Sequence, residues 1–408
     1  MTRRLIYTIG ILFLIISLAT GIIAYSRGYR LDFRQKKLTT TGILSASSTP
    51  DGASVFVDEK LVSATNASVT LLPGWYQVRI SKEGYQPWEK SIRIQGELVS
   101  RIEALLIPAN PSLRALSVTG IYSPIFSSNS SKLAYIIPKD ESTPSALLKS
   151  KVGIWVLDLR SGPLGTKNEP KQIFRPAISY DWKNARLHWS WDEKKVVAIF
   201  SKMDRKREVV TSAFQFNIDS TDSFPTDITS SVINLLHEWQ AYDTEKQKLQ
   251  IANLPPAVGK ILNHSVSDIR FSPDEAKIFY LASASASLAQ IITPPLIGTN
   301  PTKEVRSIEK GKYYIYDIKE DKNYFITDQK AAPDSKNLVW YSDSKHILMI
   351  DKDTIYIIDY DGTNKRVVYT GPFEESFVFP KPQEHKLLIL TNLTKLQTLP
   401  NLYEIDLR

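Results

Sequence analysis

The sequence predicts a mainly β chain in three parts: an N-terminal transmembrane helix, a small β-sandwich, and a six- or seven-bladed β-propeller. Three observations predict it. Residues 5–25 form one uncharged apolar run. Residues 43–108 alternate apolar and polar positions between Pro/Gly turns. Residues 112–408 repeat a turn signature, each copy leading into an apolar β-run.

Composition narrows the classes before any motif is read. The 408 residues are 42% hydrophobic and 23% charged, which suits a packed core and excludes a disordered chain. Tyr, Phe and Trp far outnumber the 3 Met, a β-leaning mix. The absence of Cys excludes disulfides, thiolate metal sites and cysteine nucleophiles. The net charge of +8 is uneven. Residues 1–37 hold Arg3, Arg4, Arg27, Arg30, Arg34, Lys36 and Lys37 against Asp32, whereas the rest of the chain is nearly balanced. Charge that flanks an apolar run suits lipid headgroups; no basic groove for nucleic acid is indicated.

The run at 5–25 contains 12 Leu, Ile or Phe residues and no charge. At 1.5 Å per residue its 21 residues span roughly 31 Å, a hydrocarbon core's thickness. It is longer than a signal-peptide core, and Ile23-Ala24-Tyr25 is a poor cleavage site. A retained anchor in membrane lipid is expected, with residues 1–4 cytoplasmic and the bulk of the chain outside. More basic residues follow the run than precede it, so a literal charge count favours the opposite orientation; against it, export of a charged N-terminal tail is unfavourable and long domains translocate largely regardless of charge. Residues 26–42 read as a juxtamembrane linker.

Residues 43–108 are expected to form a compact all-β unit. Pro50-Asp51-Gly52 signals a turn before the alternating Val55 and Val57. Leu72-Pro73-Gly74-Trp75 fits a type II turn, and Glu83-Gly84 turns the chain again. The strings TPDGASVFVD and LLPGWYQVRISKEGYQPWEKSIRI resemble the PEGA domain family through Pro50, Gly52, Ala53, Pro73, Gly74, Gly84 and Tyr85. The resemblance implies a non-catalytic extracytoplasmic β-sandwich and transfers no active site.

Beyond residue 112 an aromatic residue leads into a Ser/Pro/Asp turn, then Lys or His, then a β-run. The copies begin at Phe126, Trp189, Phe271 and Trp340, with a weaker one at Phe379. The best are Ser272-Pro273-Asp274 and Ser342-Asp343. A second element ending in Asp158, Asp317, Asp359 and Asp406 accompanies them. Its last three copies begin 41 and then 47 residues apart, close to one propeller blade. The unit resembles TolB-type propellers, whose turn carries Gly where Glu275 stands here. The roughly 295 residues from 112 onward, at about 42 per blade, predict six or seven blades, some lacking the signature. Val232, Leu235, Leu236 and Trp239 at helical spacing predict a helical insertion over 230–262.

No Walker loop, nucleophile elbow, HExxH or dinucleotide fingerprint is present. The histidines, His188, His237, His264, His346 and His385, lack ligand spacing and read as blade-turn or surface residues. Asp351/Asp353 and Asp359/Asp361 read as hairpin turns, with a Ca²⁺ loop as the sharper alternative. Trp182, Trp189 and Trp191 read as blade core rather than a sugar platform. No cofactor, metal or catalytic residue is expected. The expected role is an anchored binding or scaffolding protein of the bacterial envelope, its propeller facing a protein, peptide or polysaccharide. The alternatives are a propeller hydrolase acting on envelope glycans and a purely structural component.

Overall fold

One helix, α1 (Thr2–Ser26), opens the chain, and hairpins build most of the remainder. The computed structural model describes residues 2–26, 29–32, 37–138, 151–160, 169–175, 182–204, 207–219, 225–375, 377–382, 384–393 and 399–408. Within α1 the described side chains run from residue 7 to 23, and all are exposed. Among the described residues no helix is long and apolar enough to cross a membrane. A short hairpin, Tyr29–Asp32 with Lys37–Thr40, occupies part of the stretch read as a linker.

The next unit is a sandwich of two sheets. Gly42–Thr49 lies between Ala67–Leu71 and Val99–Leu105, running parallel to the latter. The second sheet orders Lys60–Ala64, Ser54–Val57, Gly74–Ser81 and Trp88–Ile94. The two-residue period that marked these strands places Leu44, Val55, Val57, Val78, Ile80, Ile92, Ile94 and Ile102 in one shared core.

Five four-stranded antiparallel sheets come next, numbered as blades 1–5 in chain order. Blade 1 spans Tyr122–Phe126 to Lys171–Phe174, blade 2 Ala185–Trp189 to Thr226–Asp227, and blade 3 Val266–Phe271 to Lys322–Asp328. Blade 4 spans Leu338–Trp340 to Arg366–Thr370. Blade 5 combines Val378–Pro380, Lys386–Thr391 and Asn401–Asp406 with Ser112–Ala115, which pairs with the final strand and ties the array's two ends together. Two helices, α2 (Val232–Ala252) and α3 (Pro256–His264), stand between blades 2 and 3.

Inner strands of the blades are apolar on both faces because both faces are covered. In blade 1, Ala134 and Ile136 pack toward blade 2, while Leu133, Tyr135 and Ile137 pack toward blade 5. Leu388 and Leu390 face blade 1; Leu387 and Ile389 face blade 4. Leu348 and Ile350 return that contact, and Ile347 and Met349 turn to blade 3. The remaining face of blade 2, Val197 and Ile199, packs on Val232 and Trp239 of α2. The remaining face of blade 3, Ile278 and Tyr280, packs on Val258 and Leu262 of α3. The circuit of packing faces thus closes through two helices rather than a sixth sheet.

Among the described residues there are therefore five blades, not six or seven, and each carries the turn signature. The spacing from Phe126 to Trp189 is enlarged by connections within and after blade 1, and that from Trp189 to Phe271 by α2 and α3. Dividing length by blade period counted these segments as sheets.

The turn repeats to the atom. One N–H of each turn donates to the carbonyl five residues on: Ser127 to Lys132, Ser190 to Lys195, Ser272 to Lys277, Tyr341 to His346 and Lys381 to Lys386, all at 2.8–3.0 Å; the donor directly follows the leading aromatic in the first four and is two residues after Phe379 in the fifth. In the first three, that same distal residue's N–H donates to the serine Oγ. A cross-strand partner then faces the basic residue: Lys132 opposite Asp158, Lys277 opposite Asp317, His346 opposite Asp359 and Lys386 opposite Asp406, with Asn217 opposite Lys195.

Glycine's usual place in this turn is the left-handed position, here held by Ser130, Glu193, Glu275 and Ser344 at φ of 55–62°. Two of these side chains explain the exchange. Glu193 accepts the Asn129 N–H at 2.7 Å and the Ser131 hydroxyl at 3.0 Å, latching blade 2 to blade 1. Ser344 accepts the Asp274 N–H at 3.0 Å, latching blade 4 to blade 3. The leading tryptophans reinforce the same two seams, Trp189 donating to Ile125 O and Trp340 to Arg270 O. Glu275, whose preceding neighbour is a helix, accepts instead from Gln250 of α2 at 2.8 Å.

Candidate functional site

The sandwich does not hang free of the blades; it sits on blades 3 and 4, and the seam holds a cleft. Asp359 and Asp361, at the end of the strand Thr354–Asp359 and in the turn beyond it, meet the strand Trp88–Ile94. The Trp88 indole donates to Asp359 Oδ2 at 3.3 Å. Lys90 pairs with Asp361, whose carboxylate also accepts from Asn300 and Thr302 at 2.7 Å and Thr363 at 2.6 Å. Burial opposes ionisation of Asp361, but the Lys90 ammonium and these donors outweigh it and hold the carboxyl at about 2. Glu89 N–H bonds Asn364, Arg366 donates to Pro87 O, and Lys345 pairs with Glu103. Leu105 and Ile107 enter the apolar cluster between blades 4 and 5.

A long excursion inside blade 3, between Ala286–Ser287 and Ser307–Ile308, supplies the third wall. Asp321 fixes its base by accepting from the Ile291 and Ile292 N–H groups, at 2.6 and 2.9 Å, and from Tyr316. Its tip reaches the sandwich, where Gly298 N–H donates to Gln95 at 3.0 Å. Asn300 N–H donates to Glu320 at 3.0 Å. Burial dominates at Glu320 and raises its carboxyl above the usual range.

Between these walls lies a cavity of about 440 Å³ lined by Trp88, Arg93, Arg101, Asn300, Glu320 and His346, among others. A second of about 450 Å³ lies across the excursion, against Trp75 and Lys303, and Lys90 lines both. His346 forms part of the floor. Its Nδ1 is 2.6 Å from Asp343 and its Nε2 3.3 Å from Asp359. Burial disfavours the imidazolium, yet the two carboxylates overcome that and raise it to about 10. Asp343 is correspondingly held below the usual range against its own burial. The cleft is thus a preorganised polar recess whose floor is a fixed ion triad rather than a mobile acid and base.

The structure distributes the sequence-derived residues between two scaffolds. Pro50 and Gly52 lie in the turn before Ser54–Val57, with Gly52 at φ 69°. Ala53 is fully buried; its N–H donates to the Thr65 hydroxyl at 2.9 Å and its carbonyl accepts the Thr65 N–H at 2.7 Å. Gly84 takes φ 80° and Tyr85 bridges to Pro108. Pro73-Gly74 departs from expectation: Gly74 lies outside the left-handed region and already begins the strand Gly74–Ser81, so no type II turn forms there. The Ser272 hydroxyl donates to Asp274 at 2.6 Å, with Pro273 between them at the turn's corner. In blade 4 the frame is the same, with Tyr341 in the serine's place and Ser342 in the proline's. Asp343, lacking a serine hydroxyl, bonds His346 instead.

Two other readings are revised. Trp182 and Trp189 are buried between blades 1 and 2, whereas Trp191 is 46% exposed and stacks on Tyr242 of α2 at 4.6 Å. Of the two readings given for the histidines, His346 takes the blade-turn one: it is buried at the basic position of the repeat, opposite the strand-end Asp359. Asp359 and Asp361 are junction residues occupied by Trp88, Lys90 and Asn300, while Asp351 and Asp353 flank a hairpin turn. Among the described residues no group of three or more His, Asp or Glu is placed to hold a metal ion.

The PEGA domain model matches residues 41–108. No curated protein matches the chain. Among solved structures, a putative TolB from Agrobacterium tumefaciens is 11% identical, covering 87% of this chain and 78% of that one, at a TM-score of 0.20. TolB from Acinetobacter baumannii is 15% identical, covering 81% and 59%, at 0.21. The β-propeller domain of the Trilobed protease from Pyrococcus furiosus is 14% identical, covering 90% and 96%, at 0.23. Scores this low leave the description of the sheets to rest on the chain's own pairing and packing. Residues 41–108 are a PEGA domain, joined in one chain to a mainly β array whose structural neighbours include TolB and other β-propeller proteins.

Proposed function

We propose that this chain is an anchored, extracytoplasmic binding protein of the bacterial envelope, engaging its partner at the cleft between sandwich and blades. The observation that carries the reading is the seam itself. Ion pairs, indole and backbone bonds lock two domains into one rigid recess, the setting in which binding sites most often occur. Anchoring is supported by the uncharged stretch at 5–25 and by α1, where Phe13 is 73% and Leu14 58% exposed with no protein surface over them. In this arrangement the N-terminus lies in the cytoplasm and the sandwich spaces the cleft from the bilayer.

Two measurements on the full-length protein test this. After alkaline carbonate extraction of cells the chain is expected in the membrane pellet, and external protease is expected to digest its bulk. A photo-crosslinking amino acid at Thr299, in the cleft, is expected to yield a discrete adduct with an envelope component. Recovery of the chain in the soluble fraction sinks the anchored reading, and a crosslink pattern no different from that at exposed Tyr242 sinks the cleft.

A further inference from the structure

The outer face of the sandwich's second sheet carries a pair that the seam does not use. Trp75 and Arg93 are directly opposed cross-strand neighbours on Gly74–Ser81 and Trp88–Ile94. Both point away from the core: Ile92 and Ile94 on either side of Arg93 are buried, and Trp75 is 57% exposed. Opposed residues on one face hold their Cβ atoms within about 4.5–5.5 Å. Arg101 comes from the other sheet, between buried Ser100 and Ile102, and lines the same cavity as Arg93. Lys90 and Lys345 in this cleft are paired with Asp361 and Glu103, but no ion pair engages Arg93 or Arg101 among the described residues.

An exposed indole beside one guanidinium that makes no ion pair, with a second such guanidinium in the adjoining cavity, specifies a ligand chemistry; the two cavities meet along Trp88–Ile94, where Lys90 lines both. The indole offers a flat apolar surface to the C–H face of a pyranose ring, and its polar edge tolerates water. A guanidinium fork takes a carboxylate through two parallel hydrogen bonds, which an ammonium cannot do. A peptide bound through side chains would need apolar pockets, or a free strand edge for backbone pairing. Beside Trp75 the strand Gly74–Ser81 is interior to its sheet, and the cavity is lined by polar groups such as Gln77, Ser91, Thr302 and Lys303. Trp88–Ile94 is the sheet's edge strand, so an acidic peptide is the necessary control for backbone pairing there.

We infer that Trp75, Arg93 and Arg101 form a subsite for a carboxylate-bearing saccharide, the indole stacking on one sugar ring and the arginines holding its acid group. The inference rests on the binding role proposed above and names the ligand class of that same cleft.

The test uses the full chain in detergent micelles, with tetramannuronate and tetragalacturonate as probes, mannotetraose as the neutral control and tetraglutamate as the acidic peptide control. Binding is followed by calorimetry and by tryptophan fluorescence. At least one acidic saccharide is expected to bind at least tenfold more tightly than mannotetraose. Trp75→Ala and Arg93→Gln should each weaken it at least tenfold, with Arg93→Lys between Arg93→Gln and wild type. All three substitutions fall on exposed positions, so unchanged thermal unfolding is expected to accompany the loss. Failure of both acidic saccharides to bind overturns the inference. So does equal binding of mannotetraose, tighter binding of tetraglutamate, or wild-type affinity in W75A and R93Q. The broader binding role falls separately, on the crosslinking result at Thr299.

Discussion

Lys90 of the sandwich and Asp361 of blade 4 form an ion pair in which the carboxylate is wholly covered and the ammonium is 12% exposed. The pair joins residues 271 positions apart and is one of several ties between sandwich and blades. Its worth lies less in its own energy than in what remains when half of it is removed.

Lys90→Met is expected to destabilise the folded chain by about 3 kcal/mol, because Asp361 is then buried with neutral donors alone. Urea unfolding checks this, and Asp361→Asn added to the same variant should recover part of the loss. A midpoint unchanged in K90M would make the pair incidental to the seam.

The same pair sets an acid limb. Asp361 has a folded pKa of about 2, below its ordinary 3.8. Its contribution is therefore present above about pH 4 and is lost as pH falls toward 2, amounting to about 2 kcal/mol. Unfolding midpoints between pH 5 and 2 should fall more steeply in wild type than in K90M.

At His346 the sign is reversed. Its folded value of about 10 lies above the ordinary 6.5, so stability from the imidazolium is fully present below pH 6.5 and is lost as pH rises toward 10. Its ring NMR signals should stay those of the charged form from pH 6 to 8. His346→Lys, which restores the residue used by other blades, should be tolerated. His346→Leu strands Asp343 and Asp359 and should cost about 3 kcal/mol.

Glycine should act oppositely at two equivalent turns. Glu275→Gly relieves a left-handed residue whose side chain only touches an exposed glutamine, and a gain of up to about 1 kcal/mol is expected. Glu193→Gly relieves the same backbone but removes both bonds to blade 1, and a loss of about 1–2 kcal/mol is expected. Thermal unfolding of the two variants side by side decides; the same sign in both would discard the latch.

Trp239→Ala should cost about 3–5 kcal/mol, since this buried side chain covers the open face of blade 2. Hydrogen exchange should then rise first in Lys195–Asp204, the strand whose Val197 and Ile199 it packs against.

Local order was legible where chemistry is local. Pro50, Gly52 and Gly84 announced turns, and the period-two runs of the sandwich became its core. The Ser-Pro-Asp repeat announced each blade's tight turn. Gly74 misled because a Pro-Gly pair names several backbone paths, and here the strand pairing with Trp88–Ile94 claims the glycine. Blade number misled because period and length say nothing of residues placed in α2, α3 or the excursion of blade 3. The cleft was least legible. Lys90 and Asp361 are ordinary surface charges in a string, and only docking of one domain on another makes them partners. His346 was legible as a blade-turn residue through its position in the repeat and not through its residue type.

The strand Ser112–Ala115 is completed only by Asn401–Asp406, so the array's first and last segments share a sheet. Synthesis proceeds from the other direction. A growing chain can assemble its sandwich after about residue 108, but blade 5 waits for the final residues to arrive. Until then blades 1 and 4 each lack the cover that Leu388 and Leu387 of blade 5 supply. Truncation before Asn401 should therefore leave a product whose sandwich resists limited proteolysis while its blades are cut.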